Sequence, residues 1–269
     1  MKSGTNWVCR ILNQHPEIHC IGEFHWENFF RTLDRNVQNV APRRQPRLND
    51  VVRPQLEQMV QRCLTEMARP DASWIGDRTP TTIEPVVISN APHIVVQRDF
   101  RDVIVSRMFH LYNHPRVTNV FENFPEMKRR LEQFEKNRWY FRDHPTELLD
   151  NETIVRDSAR EWCQFIDSDR QTSQQHPETP ILFVKYEDLH TEFSTSVATL
   201  MEFLELSPVD ISKDLTPGHD AENPDEANRK GQVGDWRNYM RDDVRAWIQE
   251  EAGDHLQSLG YIESSRADW

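Results

Sequence analysis

Two short, continuous apolar runs do most to constrain the fold: "HIVVQ" at His93 to Gln97 and "ILFVKY" at Ile181 to Tyr186. Runs of this length read as strands buried on both faces. The first passes straight into a stretch with helical spacing: "RDFRDVIVSRMFH" places Val103, Ile104, Arg107 and Met108 on a helix. Strands alternating with helices predict an α/β layer fold around a mainly parallel sheet. Further helices are expected from Thr5 to about Gln14, ended by His15-Pro16, and over Val51–Ala68, Asn151–Ser168, Phe193–Leu206 and Asp243–Leu259. The Pro- and Arg-rich "APRRQPRLND", Ala41 to Asp50, reads as a loop. So does "TPGHDAENPDEANRKGQVGDW", which begins at Thr216.

At 269 residues the chain suits one large domain. Residues 112–150 are charged and aromatic and are expected to form a helical lid or acceptor-site insertion. Net charge is -12, from 32 Lys+Arg against 44 Asp+Glu, which argues against a general nucleic-acid binder. No apolar run reaches the ~18–20 residues a membrane helix needs. Cys9, Cys20, Cys63 and Cys163 are scattered with no CxxC, so reduced thiols and a cytoplasmic setting are expected rather than a disulfide framework or zinc site. His110 and His114 lie four apart but have no carboxylate or Cys partner nearby, so no metal is expected.

Three segments carry chemistry. Lys2-Ser3-Gly4-Thr5-Asn6-Trp7 enters the first helix. Backbone N–H groups and the dipole at a helix N-terminus favour an anion. Gly4 permits close backbone approach, Lys2 adds positive charge, and Thr5 and Asn6 can donate to phosphate oxygens. An ordinary helix start explains the same residues, and GxxxxGK[ST] is absent. In "QRDFRDVIVS", Arg98 leaves a strand end where open α/β sheets bind ligands, and Ser106 lies about two turns into the helix. A guanidinium and a hydroxyl suit a terminal phosphate. In "RKGQVGDWRNYM", Arg229, Lys230 and Gly231 could wrap a phosphate or form solvated surface.

In order, the segments resemble the sulfotransferase family that uses 3′-phosphoadenosine 5′-phosphosulfate (PAPS). "KSGTNW" is similar to its 5′-phosphosulfate loop, and "RDFRDVIVS" to its 3′-phosphate motif, with Phe100 in place of Pro. "RKGQVGDWRN" is similar to its carboxyl-terminal signature, and "VKYEDL" to a strand end that reaches adenine. The resemblance spans Lys2 to Asn238. It implies a P-loop-like three-layer α/β fold and sulfuryl transfer from PAPS to a hydroxyl or amine, releasing PAP without a metal. It also implies that Lys2, Ser3, Gly4, Thr5 and Asn6 cradle the phosphosulfate. Trp7 would pack on adenine, with Tyr186 on its other side, and Arg98, Ser106, Arg229, Lys230 and Gly231 would hold the 3′-phosphate. Lys2 would neutralise charge building on the departing bridging oxygen.

The acceptor base is a departure. Cytosolic small-molecule members carry a His before the 3′-phosphate strand, and Pro80 of "GDRTP" stands there. "GDRTP" resembles instead the G-[DE]-K-[ST]-P of bacterial and Golgi-type members, which use a Glu after the first helix. That implies Glu23 as base, with His25 in reserve and Glu27 less suited. A solvated loop carboxylate is the plain alternative for Glu23. Aromatics from Phe24 to Phe30 and Phe121, Phe124, Trp139 and Tyr140 could line an acceptor pocket or form core.

In this family a strand precedes the phosphosulfate loop, and here only Met1 does. A start lying upstream is the expectation; the other reading is a loop held by its helix and neighbours alone. A nucleotide-binding relative without turnover and a P-loop kinase-like phosphotransferase are the rival functions. The acceptor and any homo-oligomer stay open.

Overall fold

The structure is a computed structural model that describes residues 3–26, 28, 30–32, 35, 45–83, 91–211 and 230–263. Lys2, Glu27 and Arg229, named above, lie outside the described residues.

The chain begins with α1 (Thr5–Leu12), whose Trp7, Val8, Ile11 and Leu12 are buried on one face. His15-Pro16 ends this helix. The His15 ring is buried and serves both chain directions: Nδ1 accepts from the Glu17 N–H at 3.1 Å, and Nε2 lies 3.2 Å from the Ser207 carbonyl. Strand β1 (Ile18–Cys20) follows. Helix α2 spans Gln45–Met67, then β2 Trp74–Gly76, β3 His93–Gln97 and α3 Phe100–Asn113. The helix therefore begins inside the stretch expected to be a loop. Pro46 falls in its first turn, where no intrahelical N–H bond is lost, although Pro54 stands in its interior.

Short helices α4 (Val120–Asn123), α5 (Pro125–Lys136) and α6 (Tyr140–Asp143) fill the charged aromatic region. Then come α7 (Glu152–Gln175), β4 (Ile181–Lys185), α8 (Tyr186–Thr191), α9 (Phe193–Phe203) and α10 (Asp242–Ser258). Asn151 caps α7 by accepting from the Ile154 N–H at 3.0 Å.

All pairing among the described strands is parallel. β1 pairs with β2, Ile18 opposite Trp74, and β3 pairs with β4, His93 opposite Ile181. The α/β reading with parallel strands holds, with the strands in two pairs. Ile94, Val96, Leu182 and Val184 all turn toward the core formed with α1 and α9, as the two-residue period of a strand requires. A second core joins α3, α7, α10 and the α4–α6 region. Helices thus cover the strands from two sides. An apolar cavity of about 340 Å³ runs along β2 and β3, bordered by α1 residues and by Trp162 and Ile166 of α7.

The two cores settle the fate of the aromatics. Phe121, Phe134 and Phe141 are buried around Tyr112, at centroid distances of 5.2, 5.8 and 4.6 Å. Phe124 and Tyr140 pack against them, and Trp139 is exposed. Phe30 packs with Val60 and Leu64 of α2, and Trp26 leans on that cluster. Apart from the exposed Trp139, these rings belong to the core, as apolar burial alone favours.

Candidate active site

One cleft of about 600 Å³ gathers most of the chemically suggestive residues. Gly4, Thr5, Asn6 and Trp7 line it from the start of α1, and Arg98 and Ser106 from the β3–α3 junction. Tyr186 enters from the end of β4, Lys230 and Gly231 from the loop before α10, and Glu23 from the turn after β1. Residues from Gly4 to Asp235, 231 positions apart in sequence, meet here because β3 and β4 are parallel neighbours and both end at this cleft. Ser3 borders the apolar cavity instead.

Gly4 explains the loop's shape. Its φ of 100° and ψ of 16° place it in the left-handed region at the cap of α1. A Cβ there would lie 2.3 Å from Cδ2 and 2.5 Å from Cε2 of Tyr186, so only glycine lets the loop lie against that ring. The first backbone N–H groups of α1 have no intrahelical acceptor, and they belong to cleft-lining residues.

Tyr186 is the organising side chain that sequence reasoning undervalued. It lies against Gly4, carries the Arg98 guanidinium 4.2 Å above its ring, and donates from its hydroxyl to the Gly231 carbonyl at 2.8 Å. It thereby joins all three sequence segments. Burial pushes its phenol up to about 12, so it remains a donor at neutral pH. Trp7 meets it edge to face at 5.3 Å and also touches His190 at 4.5 Å. Rings in direct contact leave no gap for a base, so an adenine sandwiched between Trp7 and Tyr186 does not fit this arrangement. The indole Nε1 of Trp7 is buried with no acceptor among the described residues.

Arg98 is buried and donates to the Gln232 carbonyl at 3.1 Å, tying the strand end to the later loop. Asp102, in the first turn of α3, holds that loop more firmly. Its carboxylate accepts from the N–H of Gly234 at 2.7 Å and of Trp236 at 3.0 Å. Burial raises its pKa, opposed by Arg98 and these N–H groups. Lys230 pairs with Asp235 at 2.6 Å, which Asn238 also reaches at 2.9 Å. Its ammonium is thus held in place beside the cleft. Nothing in local spacing announces the Asp102 contacts, which span 132 and 134 residues.

Glu23 lies on the cleft wall with its carboxylate 2.6 Å from Arg78 of "GDRTP". Asp77 holds the same turn by accepting from the Phe24 N–H at 3.3 Å. His25 has a left-handed φ of 55° and sits 4.0 Å from Glu23, outside the set that lines the cleft. The remaining wall is polar: Arg107 paired with Glu161, the touching rings of His110 and His114 at 4.6 Å, and Asn113. Phe109 and Phe165 supply its other aromatic surface.

A family model described as Sulfotransferase domain matches residues 1–260. The chain belongs to the sulfotransferase domain family. Among solved structures it is similar to mouse sulfotransferase SULT7A1 complexed with PAP, with a TM-score of 0.51 and 16% identity. The match covers 95% of this chain and 82% of that one. At that identity the likeness concerns the fold. No curated protein sequence matches the chain. Among the described residues, no helix is long and apolar enough to cross a membrane, and no cluster of three metal-ligating side chains occurs.

Proposed function

We propose that this member of the family is a PAPS-dependent sulfotransferase that moves a sulfuryl group to a hydroxyl or amine acceptor and releases PAP. The carrying observation is the convergence of the α1 N-terminus, Arg98, Ser106, Lys230 and Gly231 on one cleft that also holds Glu23. The residues present fit such a donor. Gly4 lets the loop lie against Tyr186, the Thr5 and Asn6 N–H groups at the start of α1 have no intrahelical acceptor, and the Trp7 Nε1 donor is buried with no acceptor among the described residues.

Thr5, Asn6 and the first N–H groups of α1 bind the phosphosulfate end. Arg98, Ser106, Lys230 and Gly231 hold the 3′-phosphate, and Lys2 and Arg229 belong to the same two groups by sequence. The bound donor supplies the transferable sulfuryl group. Glu23 takes the acceptor's proton, and Arg78 fixes the direction of its carboxylate. His25, 4.0 Å from Glu23 and off the cleft wall, is the reserve for the base role. The tryptophan and tyrosine edges meet the adenine without enclosing it.

Transfer of labelled sulfuryl from PAPS to a panel of phenols, sterols, amines and saccharides tests the reading. Glu23→Gln should lower turnover about 100-fold or more, the scale of a general base, and leave PAP affinity within about twofold. Full activity in Glu23→Gln would remove Glu23 from the base role. PAP binding with no transfer to any acceptor would favour a nucleotide-binding relative without turnover.

A further inference from the structure

Cys9 on α1 and Cys20 at the end of β1 face the apolar cavity rather than the active-site cleft, and nothing in the proposed reaction uses them. Their surroundings are ordered. The Cys9 thiol donates to the Cys20 carbonyl at 3.6 Å, and both side chains border the same cavity. Asn13 clasps the pair from one side. Its Nδ2 donates to the Cys20 carbonyl at 2.9 Å and lies 3.7 Å from Cys9 Sγ, while its Oδ1 accepts from the Cys20 N–H at 2.8 Å. Neither thiol is fully buried, and the cavity gives a small solute access to both.

We propose that Cys9 and Cys20 form an oxidisable dithiol that closes to a disulfide between the phosphate-loop helix and the strand leading to Glu23. The Cys9 sulfur already reaches the Cys20 backbone and the two side chains share one cavity wall, so closure to the ~2.05 Å bond calls for side-chain rotation rather than a rearrangement of the fold. Cys9 is the nucleophile. The neighbouring Cys20 side chain holds its pKa below the ordinary thiol value, with Arg78 acting in the same direction. Cys20 is raised by the Cys9 side chain and by burial, so it keeps its proton until Cys9 has reacted.

With hydrogen peroxide as oxidant, the Cys9 thiolate attacks one peroxide oxygen. The O–O bond breaks, Cys9 becomes a sulfenic acid, and hydroxide leaves as water with the proton Cys9 lost on ionising. The Cys20 sulfur then attacks the Cys9 sulfur. The S–S bond forms, the S–O bond breaks, and the departing hydroxide takes the Cys20 proton as a second water. Two thiols are oxidised by two electrons and one peroxide is reduced to two waters.

The test treats the full chain with hydrogen peroxide, then measures thiol titre, intact mass and peptide cross-links. The expected result is loss of two of the four thiols, a mass lower by two hydrogens, and a Cys9–Cys20 linked peptide that dithiothreitol removes. Cys9→Ser and Cys20→Ser should each abolish the link, whereas Cys63→Ser should retain it. A link to Cys63 or Cys163 would overturn the proposal, as would oxygen addition without a link or four unreacted thiols. The readout does not involve PAPS, so the sulfotransferase reading can fail without affecting it.

Discussion

Gly4→Ala probes the joint on which the active-site geometry depends. The new Cβ would sit 2.3 Å from Cδ2 of Tyr186, far inside contact distance. Tyr186 cannot swing aside freely: it is buried, its hydroxyl is bonded to the Gly231 carbonyl, and Arg98 covers its ring. A φ of 100° adds backbone strain on the order of 1–2 kcal/mol for a residue with a Cβ. Overpacking adds about 1–3 kcal/mol. The sum is roughly 2–5 kcal/mol. If the loop keeps its place, the melting temperature falls by on the order of 10 °C. If Tyr186 yields instead, it leaves Arg98 and Gly231, and PAP affinity falls at least tenfold.

Thermal melts and calorimetric PAP titration of the variant separate these outcomes. A double-mutant cycle with Tyr186→Ala isolates the contact, because removing the ring removes the clash. In that background Gly4→Ala should lose most of its packing cost and keep only its strain. Additive costs, or a Gly4→Ala variant with unchanged melting and PAP affinity, would refute the reasoning.

Asp102→Ala leaves the buried N–H of Trp236 without its acceptor, at about 1–3 kcal/mol, and removes the acceptor of the half-buried Gly234 N–H at a smaller cost. Denaturant titration should show the loss, and PAP affinity should fall because Lys230 and Gly231 lose their anchor. Burial pushes Glu187, which accepts from the Asp99 N–H at 3.0 Å, up to about 7. An acid with a raised folded-state pKa binds more protons when folded. Stability should therefore fall as pH rises from about 4.5 to about 7 and level off above, by at most ~3 kcal/mol. Asp169, also raised by burial, to about 6, adds a fall of the same sign at lower pH. Glu187→Gln should raise stability at pH 8 and flatten the upper part of the profile; an unchanged slope between pH 5 and pH 7 would contradict this assignment.

The parallel α/β architecture was legible because buried strands announce themselves. Ile94 to Val96 and Ile181 to Val184 are unbroken apolar runs with polar residues only at their ends, and both became paired strands. Gly4, Thr5, Asn6, Trp7, Arg98, Ser106, Tyr186, Lys230 and Gly231 were legible as a group through motif resemblance, and they share one cleft. What stayed hidden depends on contacts with no local signal. Asp102 looks like any acidic residue in a first helical turn until the chain brings Gly234 and Trp236 to it. Tyr186 reads as the last residue of a strand, yet it spans three segments. Composition misled at Gln45–Asp50, where proline and arginine suggested a loop and the helix runs through. The rings of Phe121 and Tyr140 showed no preference between pocket and core in sequence. Only their packing into the cluster around Tyr112 and Phe141 settles it.

Calorimetric titration of PAP into the 269-residue chain, beside Arg98→Ala, tests the central claim most directly. The account predicts one PAP per chain, with affinity weakened at least tenfold by Arg98→Ala, about 1.4 kcal/mol or more. Absence of PAP binding by the folded chain, or equal binding by the variant, would contradict the assignment of this cleft to the donor.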